Sequence, residues 1–290
     1  MSMSVDQAFE RFPELGRRKL MEYTGISEHE ARIQCRFHKG KKEVSEQDIK
    51  LGVAIGDIHY PYQNSTVDIC KQFIGDNDVD YFLLAGDQLD LDLISSFNRR
   101  KPLLKERKRL QKTYDGFQRD ILDPFNSVLR SDTKRFWLVG NHEVRANRLV
   151  EEQPVLEGMV EPENCLNLSG YEFIPENGVV TIGEMSFIHG TYYNKYHAKK
   201  NIETYGRHIF SWHVHTNQVY TMHSPVDTLP RQGVSVGCAC NLNPEYMHNK
   251  PSAFVNQFLI FYLFPNGQFT YYTPTVINSR VVINGKLYEG

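Results

Sequence analysis

At 290 residues, with 33 Lys and Arg against 35 Asp and Glu, the chain has a formal net charge of −2, and 40% of it is hydrophobic. That allows one core of about 240 residues beside a small accessory unit, and it excludes overall basicity as a source of nucleic-acid affinity, which must come from local patches. No apolar run approaches the roughly 20 residues of a membrane span, and the N-terminus lacks a signal pattern. Five cysteines, an odd number, form neither a disulfide framework nor a zinc pattern. A soluble, cytoplasmic protein without membrane contact is expected, with Cys238 and Cys240 as alternate residues of a strand facing opposite sides.

Residues 1 to 50 are helical in pattern and rich in charge. The segment RRKLMEYTGISEHEARIQCRFHK, from Arg17, has the cadence of a helix-turn-helix. Leu20 and Met21 pack from the first helix, Gly25 takes the left-handed turn and Ile26 plugs the core. Ser27 caps the second helix, with Glu30 completing a capping box. Ala31 and Ile33 to Cys35 face inward, so Arg32, Arg36, His38, Lys39, Lys41 and Lys42 can reach a DNA backbone. Glu28 and Glu30 oppose that reading, and a packing or oligomerisation cap competes with it. GKKEVSEQDIK, at 40 to 50, is the linker.

Beyond it, five short apolar runs, LGVAIG, YFLLAG, RFWLVG, MSFI and HIFSW, read as buried strands. Each ends at a polar string: DIHYP at 57 to 61, GDQLD at 86 to 90, GNHE at 140 to 143, HG at 189 to 190 and HVH at 213 to 215. Strand ends of an α/β sheet present loops to one edge, so five loops converge. Their carboxylates, amide and imidazoles suit a two-metal phosphoester site, in which one carboxylate bridges two cations and a spare imidazole faces the leaving group. The ligands are Asp57, His59, Asp87, Asn141, His189, His213 and His215, and His142 is the spare.

Between the strings, a helix is expected over 63 to 75 and a long insertion over 91 to 130. Its segment FNRRKPLLKERKRLQK, at 97 to 112, holds eight Lys or Arg against one Glu and reads as helical after Pro102. Most simply this is a solvated helix face, but Arg99, Arg100 and Lys101 follow the GDQLD loop and can attract a polyanion. Arg145 and Arg148 lie on one helical turn beginning at GNHE and can meet substrate phosphate. A helix over 194 to 206 carries Lys195, Lys199 and Lys200. From 216 onward strands alternate with PNG and ING turns at 265 to 267 and 283 to 285. FLIFYLF, at 258 to 264, reads as a strand.

Over about residues 51 to 290 these motifs resemble the calcineurin-like metallophosphoesterase superfamily. The resemblance implies an α/β fold: a four-layer α/β/β/α sandwich of two mixed sheets, here preceded by a small all-α domain. It implies that Asp57, His59, Asp87 and His215 hold one metal and Asp87, Asn141, His189 and His213 the other, with Asp87 as the bridge. A hydroxide shared by the metals then attacks phosphorus, and His142, oriented by Asp90, protonates the departing oxygen. Several divalent ions suit such ligands, manganese first, then iron, zinc, nickel or magnesium.

Three departures bear on substrate. The protein phosphatases of this superfamily carry arginines where this chain has Leu91 and Val139, which disfavours a phosphoprotein. A nuclease branch usually has His at the position of Asp90. Trp212 replaces the Gly of the family's GHxH string, where its ring narrows the pocket, offers a stacking face, or packs beneath the sheet edge. The Cys-rich strand running into NPEYM, with GNHE and its arginines, looks like phosphoesterases of phages and prophages, some with an N-terminal helix-turn-helix. The leading expectation is a phosphoesterase acting on nucleic acid or nucleotides, of nuclease or phosphodiesterase type. The alternatives are a small-molecule phosphodiesterase or phosphatase whose first fifty residues form an oligomer interface, and an inactive DNA-binding protein on this fold.

Overall fold

Strand β1 (Lys50–Ile55) pairs with β2 (Tyr81–Ala85) in parallel and β10 (Leu259–Leu263) antiparallel, and is buried along nearly its whole length because apolar layers cover both its faces. The structure, a computed structural model, describes residues 3–12, 14–40, 48–98, 100, 106, 108–225, 229–243 and 251–290. It divides into two compact units, Met1–Ile49 with Phe264–Asn266, and Lys50–Leu263 with Gly267–Gly290.

The larger unit has a six-stranded sheet in the order β11 (Phe269–Tyr272), β10, β1, β2, β3 (Lys134–Leu138), β4 (Tyr171–Ile174). The last four strands run parallel, while β10 and β11 are antiparallel. A five-stranded sheet has the order β5 (Val180–Ile182), β6 (Met185–Ile188), β7 (His208–Ser211), β9 (Arg231–Ser235), β8 (Gln218–Met222). Both sheets are mixed. A separate hairpin, β12 (Arg280–Ile283) with β13 (Lys286–Glu289), turns at the ING string, and the PNG string turns β10 into β11. All five apolar runs are strands, and FLIFYLF contains β10.

Alternation of side chains along each strand divides the core. Ala54, Leu83, Leu138 and Phe261 from the first sheet meet Phe187, Phe210, Trp212 and Val234 from the second in one buried cluster. The opposite face of the first sheet, with Val53, Phe82 and Trp137, packs against Phe73 of the helix Thr66–Gly75 and against Phe117 and Phe125 of the insertion. Outside the second sheet, Ile202 of the helix His197–Tyr205 covers Ile188 and Ile209. Helices, two facing sheets and a further helix are thus stacked in four layers. Burying a ring such as Phe82 or Phe210 contributes roughly 1.5–3 kcal/mol.

The smaller unit holds helices Val5–Arg11, Arg17–Thr24 and Glu28–Gly40. Ala8, Phe9, Leu15, Leu20, Ala31 and Cys35 form its core. Gly25 is left-handed at φ 74° and donates to the Met21 carbonyl at 2.8 Å, which ends the second helix. The Ser27 hydroxyl accepts the Glu30 N–H at 3.2 Å, and Glu30 returns its carboxylate to that hydroxyl rather than to the Ser27 N–H of a full capping box. Ile26, Ile33 and Gln34 are only half-buried. Among the described residues no helix is long and apolar enough to cross a membrane. The linker residues 41–47 and the basic run at 101–105 lie outside the described residues.

Candidate metal centre

Each motif begins where its strand ends, and the loops that follow are held in unusual backbone conformations. Asp57, His59, Asp87, His213 and His215 all have positive φ, between 49° and 80°. A non-glycine residue there costs on the order of 1–3 kcal/mol and persists only where its surroundings over-determine it. Loop-to-loop hydrogen bonds do so here. Asp57 N–H donates to the Gly86 carbonyl, His59 N–H to Asp87 and Tyr60 N–H to Gln88, each at 2.9 Å, and Trp212 N–H donates to His189 at 2.8 Å. The glycines allow close approach: a Cβ on Gly86 would lie 2.3 Å from His189 Nδ1, and one on Gly140 would lie 2.2 Å from the Asp87 amide nitrogen.

The result is a buried knot of carboxylates and imidazoles. Asp87 Oδ2 is 3.3 Å from His189 Nε2, 3.8 Å from His59 Nε2 and 3.9 Å from His142 Nε2. On one side, His59 Nε2 and His215 Nε2 are 3.1 Å apart, with Asp57 Oδ1 3.9 and 3.6 Å from them. On the other, Asn141 Oδ1 lies 3.2 Å from His189 Nε2, and the His213 ring sits with its centroid 5.3 Å from that of His189. Main-chain donors fix the carboxylates: His213 N–H holds Asp57 Oδ2 and His142 N–H holds Asp87 Oδ1, both at 2.8 Å. The His189 Nδ1–H donates to the Ala85 carbonyl at 3.0 Å, which turns its Nε2 toward Asp87.

Protonation follows from these neighbours. Burial and the adjacent His142 push His59 down to about 3. Burial opposes charge on His189 as well, but Asp87 beside it outweighs burial and carries the ring up to about 9. Asp87 is held well below the carboxylate range by His189 and His142 against its own burial. Asp57 Oδ1 and His213 Nδ1 are buried with no hydrogen-bond partner among the described residues. Converging carboxylate, amide and imidazole donors, two of them orphaned, are the ligand chemistry of a divalent cation such as manganese, iron or zinc. Asp57, His59 and Asp87 form one such group and Asp87, His189 and His213 another.

The loop residues beside the knot differ in part from expectation. His142 Nδ1 lies 2.9 Å from the Asp90 main-chain carbonyl and 3.4 Å from its carboxylate, so the backbone is the nearer orienting group. Arg145 approaches both, with Nη2 at 2.9 Å from His142 Nε2 and Nη1 at 3.3 Å from Asp90 Oδ1. Arg148, one turn further along the helix Val144–Glu152, is exposed and bonded to none of these groups. The expectation for Trp212 as a substrate contact is corrected. Its ring is 1% exposed in the inter-sheet cluster, where a Cβ on Gly56 would come within 2.8 Å of Cδ1, so it offers no stacking face.

Arg32 is exposed on its helix and Arg100 is exposed in the insertion, while Arg99, Lys101 and the side chain of Arg36 lie outside the described residues. The cysteine pair is corrected too. Residues 238 to 240 form isolated bridges rather than a strand, and both thiols are buried near His215, with Cys240 Sγ 4.0 Å from its Nδ1.

Glu143 was given no role by its sequence context and has a clear structural one. It is 1% exposed, and its carboxylate accepts the N–H groups of Asp87 at 3.0 Å, Gly140 at 2.9 Å and Leu89 at 2.9 Å. It therefore ties the loop after β2 to the loop after β3. The available signal was its place as an acid in the GNHE string, next to the expected ligand Asn141 and the spare His142.

Compared with known proteins, residues 53–248 match the family described as calcineurin-like phosphoesterase. No curated protein matches the chain. One solved crystal structure aligns with 78% of this chain and 99% of its own, at 12% identity and a TM-score of 0.33.

Proposed function

Since this chain belongs to the calcineurin-like phosphoesterase family, whose members are metal-dependent phosphoester hydrolases, we propose that it cleaves phosphoesters of nucleotides or nucleic acid at a two-metal centre. Asp57, His59, Asp87 and His215 would hold one ion, and Asp87, Asn141, His189 and His213 the second. The observation that carries this is the position of Asp87 Oδ2, within 3.3 Å of His189 Nε2 and 3.8 Å of His59 Nε2, so that one carboxylate oxygen serves both groups. Bound divalent ions, manganese first among the candidates, supply Lewis acidity for the phosphoryl oxygens and for a water nucleophile.

The chain's own groups supply the rest. His142 projects beside Asp87 with its ring against that of His59, centroids 4.4 Å apart, and is placed to pass a proton to the departing oxygen from Nε2. Arg145, whose Nη2 lies 2.9 Å from that nitrogen, would offer a charged donor to a phosphoryl oxygen. Leu91 and Val139 are buried apolar residues, so the arginine pair of the protein phosphatases has no counterpart, which favours nucleotides or nucleic acid over phosphoproteins. In the smaller unit, Arg32 on an exposed face supports DNA contact.

The test is a panel of bis-p-nitrophenyl phosphate, p-nitrophenyl phosphate, cyclic nucleotides and labelled single- and double-stranded DNA, with manganese-loaded protein. Cleavage of diesters or of DNA above the monoester rate supports the reading. Activity confined to non-nucleotide monoesters contradicts it.

A further inference from the structure

Beside the second ligand group a cavity of about 270 Å³ runs from Asn141, His189 and His213 to the surface. Its inner lining is apolar, Val139 and Ile188, both buried. Outward, Tyr205 is half-buried, Tyr193 is 82% exposed, and the exposed Glu176 and Asn177 complete the lining. Three separate segments supply these groups: the loop after β4, the loop after β6 and the end of the helix His197–Tyr205. The side chains of Glu176, Asn177 and Tyr193 make no hydrogen bond among the described residues, so their polar atoms are available.

The chemistry narrows the occupant. No Lys or Arg lines the cavity and one carboxylate does, so a second phosphate or a continuing polyanion is disfavoured there. The volume is just below the ~300–1,000 Å³ of small-molecule sites and has room for one compact group. Tyrosine faces stack on planar rings. A carboxylate accepts from amino and hydroxyl groups, and an amide both accepts and donates. An aromatic, neutral group edged with N–H and O–H donors meets all of these requirements.

We propose that this cavity binds the nucleoside that stays on phosphorus during cleavage, with Tyr193 and Tyr205 against the base and Glu176 and Asn177 at its hydrogen-bonding edge or sugar hydroxyls. This rests on the phosphoesterase reading of the site. The geometry assigns the retained group because His142 and Arg145 lie on the His59 side of Asp87, whereas the cavity opens from His189 and His213. The substrate class is therefore a nucleoside phosphodiester. The oxygen of a water bonds to phosphorus as the bond to the leaving oxygen breaks, one water proton ends on that leaving oxygen, and a nucleoside monophosphate is released.

Two measurements on the full chain test this. In the first, chelator-treated protein is titrated with thymidine and with deoxyadenosine by saturation-transfer NMR, with methyl glucoside as a comparison. Nucleosides are expected to bind, the sugar not to, and Tyr193→Ala or Glu176→Gln to weaken nucleoside binding by about tenfold, the scale of one lost base stack. In the second, manganese-loaded protein is given p-nitrophenyl thymidine 5′-phosphate and methyl p-nitrophenyl phosphate, which share a leaving group. The nucleoside ester should have a kcat/KM at least about tenfold higher, with the ratio falling toward one in Tyr193→Ala. Equal kcat/KM values, absent nucleoside binding, or tighter binding of the sugar overturn the proposal. If neither ester is hydrolysed while nucleosides bind and the variants weaken them, the subsite stands and the hydrolytic reading fails.

Discussion

Arg145 Nη2 lies 2.9 Å from His142 Nε2, and because a guanidinium can only donate, this contact assigns the acceptor role to Nε2 and the proton of a neutral ring to Nδ1. Nδ1 then donates to the Asp90 carbonyl at 2.9 Å. Proton donation from Nε2, as proposed, therefore requires Arg145 to leave that nitrogen for the substrate. Replacing Arg145 with Ala would remove the proposed phosphate contact. We expect kcat/KM for bis-p-nitrophenyl phosphate to fall roughly 10- to 100-fold, the worth of one charged hydrogen bond. Wild-type kinetics in Arg145→Ala would leave the arginine a purely structural role.

His142→Ala should separate proton transfer from metal binding. Cleavage of an alkyl-oxygen leaving group should slow by roughly 10²- to 10⁴-fold, the usual scale for general acid catalysis, and nitrophenolate release should slow far less. Metal content, read by elemental analysis, should stay at the wild-type level. Equal losses on both leaving groups with metals retained would speak against a proton-donor role.

Glu143→Gln tests the loop clamp. The carboxylate receives three N–H groups at 2.9–3.0 Å in full burial, and an amide would turn its own NH2 toward at least one of them. The expected cost is about 1–3 kcal/mol of stability, from a buried N–H left facing the amide NH2. Urea unfolding of the metal-free proteins measures it, and titration with manganese should show weaker binding in the variant. A variant within about 0.5 kcal/mol of wild type, the range of an ordinary surface change, would mean the clamp is dispensable.

Much of the centre was legible along the chain because its proposed ligands occupy strand ends, and strand ends are marked by apolar runs giving way to Asp, Asn or His beside glycine. The two sheets could be read for the same reason. What could not be read depends on neighbours distant in sequence. Trp212 is enclosed because Gly56, at the end of β1, makes room for its ring. Glu143 looks like any acid until Asp87, Leu89 and Gly140 turn their amides toward it. The cavity beside His189 is lined by residues following β3, β4, β6 and β7 and by the end of the helix His197–Tyr205, a meeting that no single run of sequence displays.

For the smaller unit, deleting residues 1–49 removes no proposed ligand and should leave nitrophenyl ester hydrolysis close to wild type. If this unit binds DNA, the deletion weakens duplex binding and flattens its salt dependence by about 0.9 in log-log slope per lost phosphate contact. Arg32→Glu should act in the same direction, since its side chain is exposed. An unchanged slope together with a changed mass by light scattering would identify the unit as an oligomer contact instead.

The two-metal centre is tested most directly through Asp87, the carboxylate shared by both ligand groups. Elemental analysis of purified Asp87→Asn and wild-type protein after manganese loading, with bis-p-nitrophenyl phosphate hydrolysis on the same samples, measures occupancy and function together. Wild type should hold about two ions per chain and lose activity on chelation, and Asp87→Asn should lose occupancy of both groups and turnover by orders of magnitude. Active wild-type protein without metal, or Asp87→Asn with wild-type turnover, would contradict it.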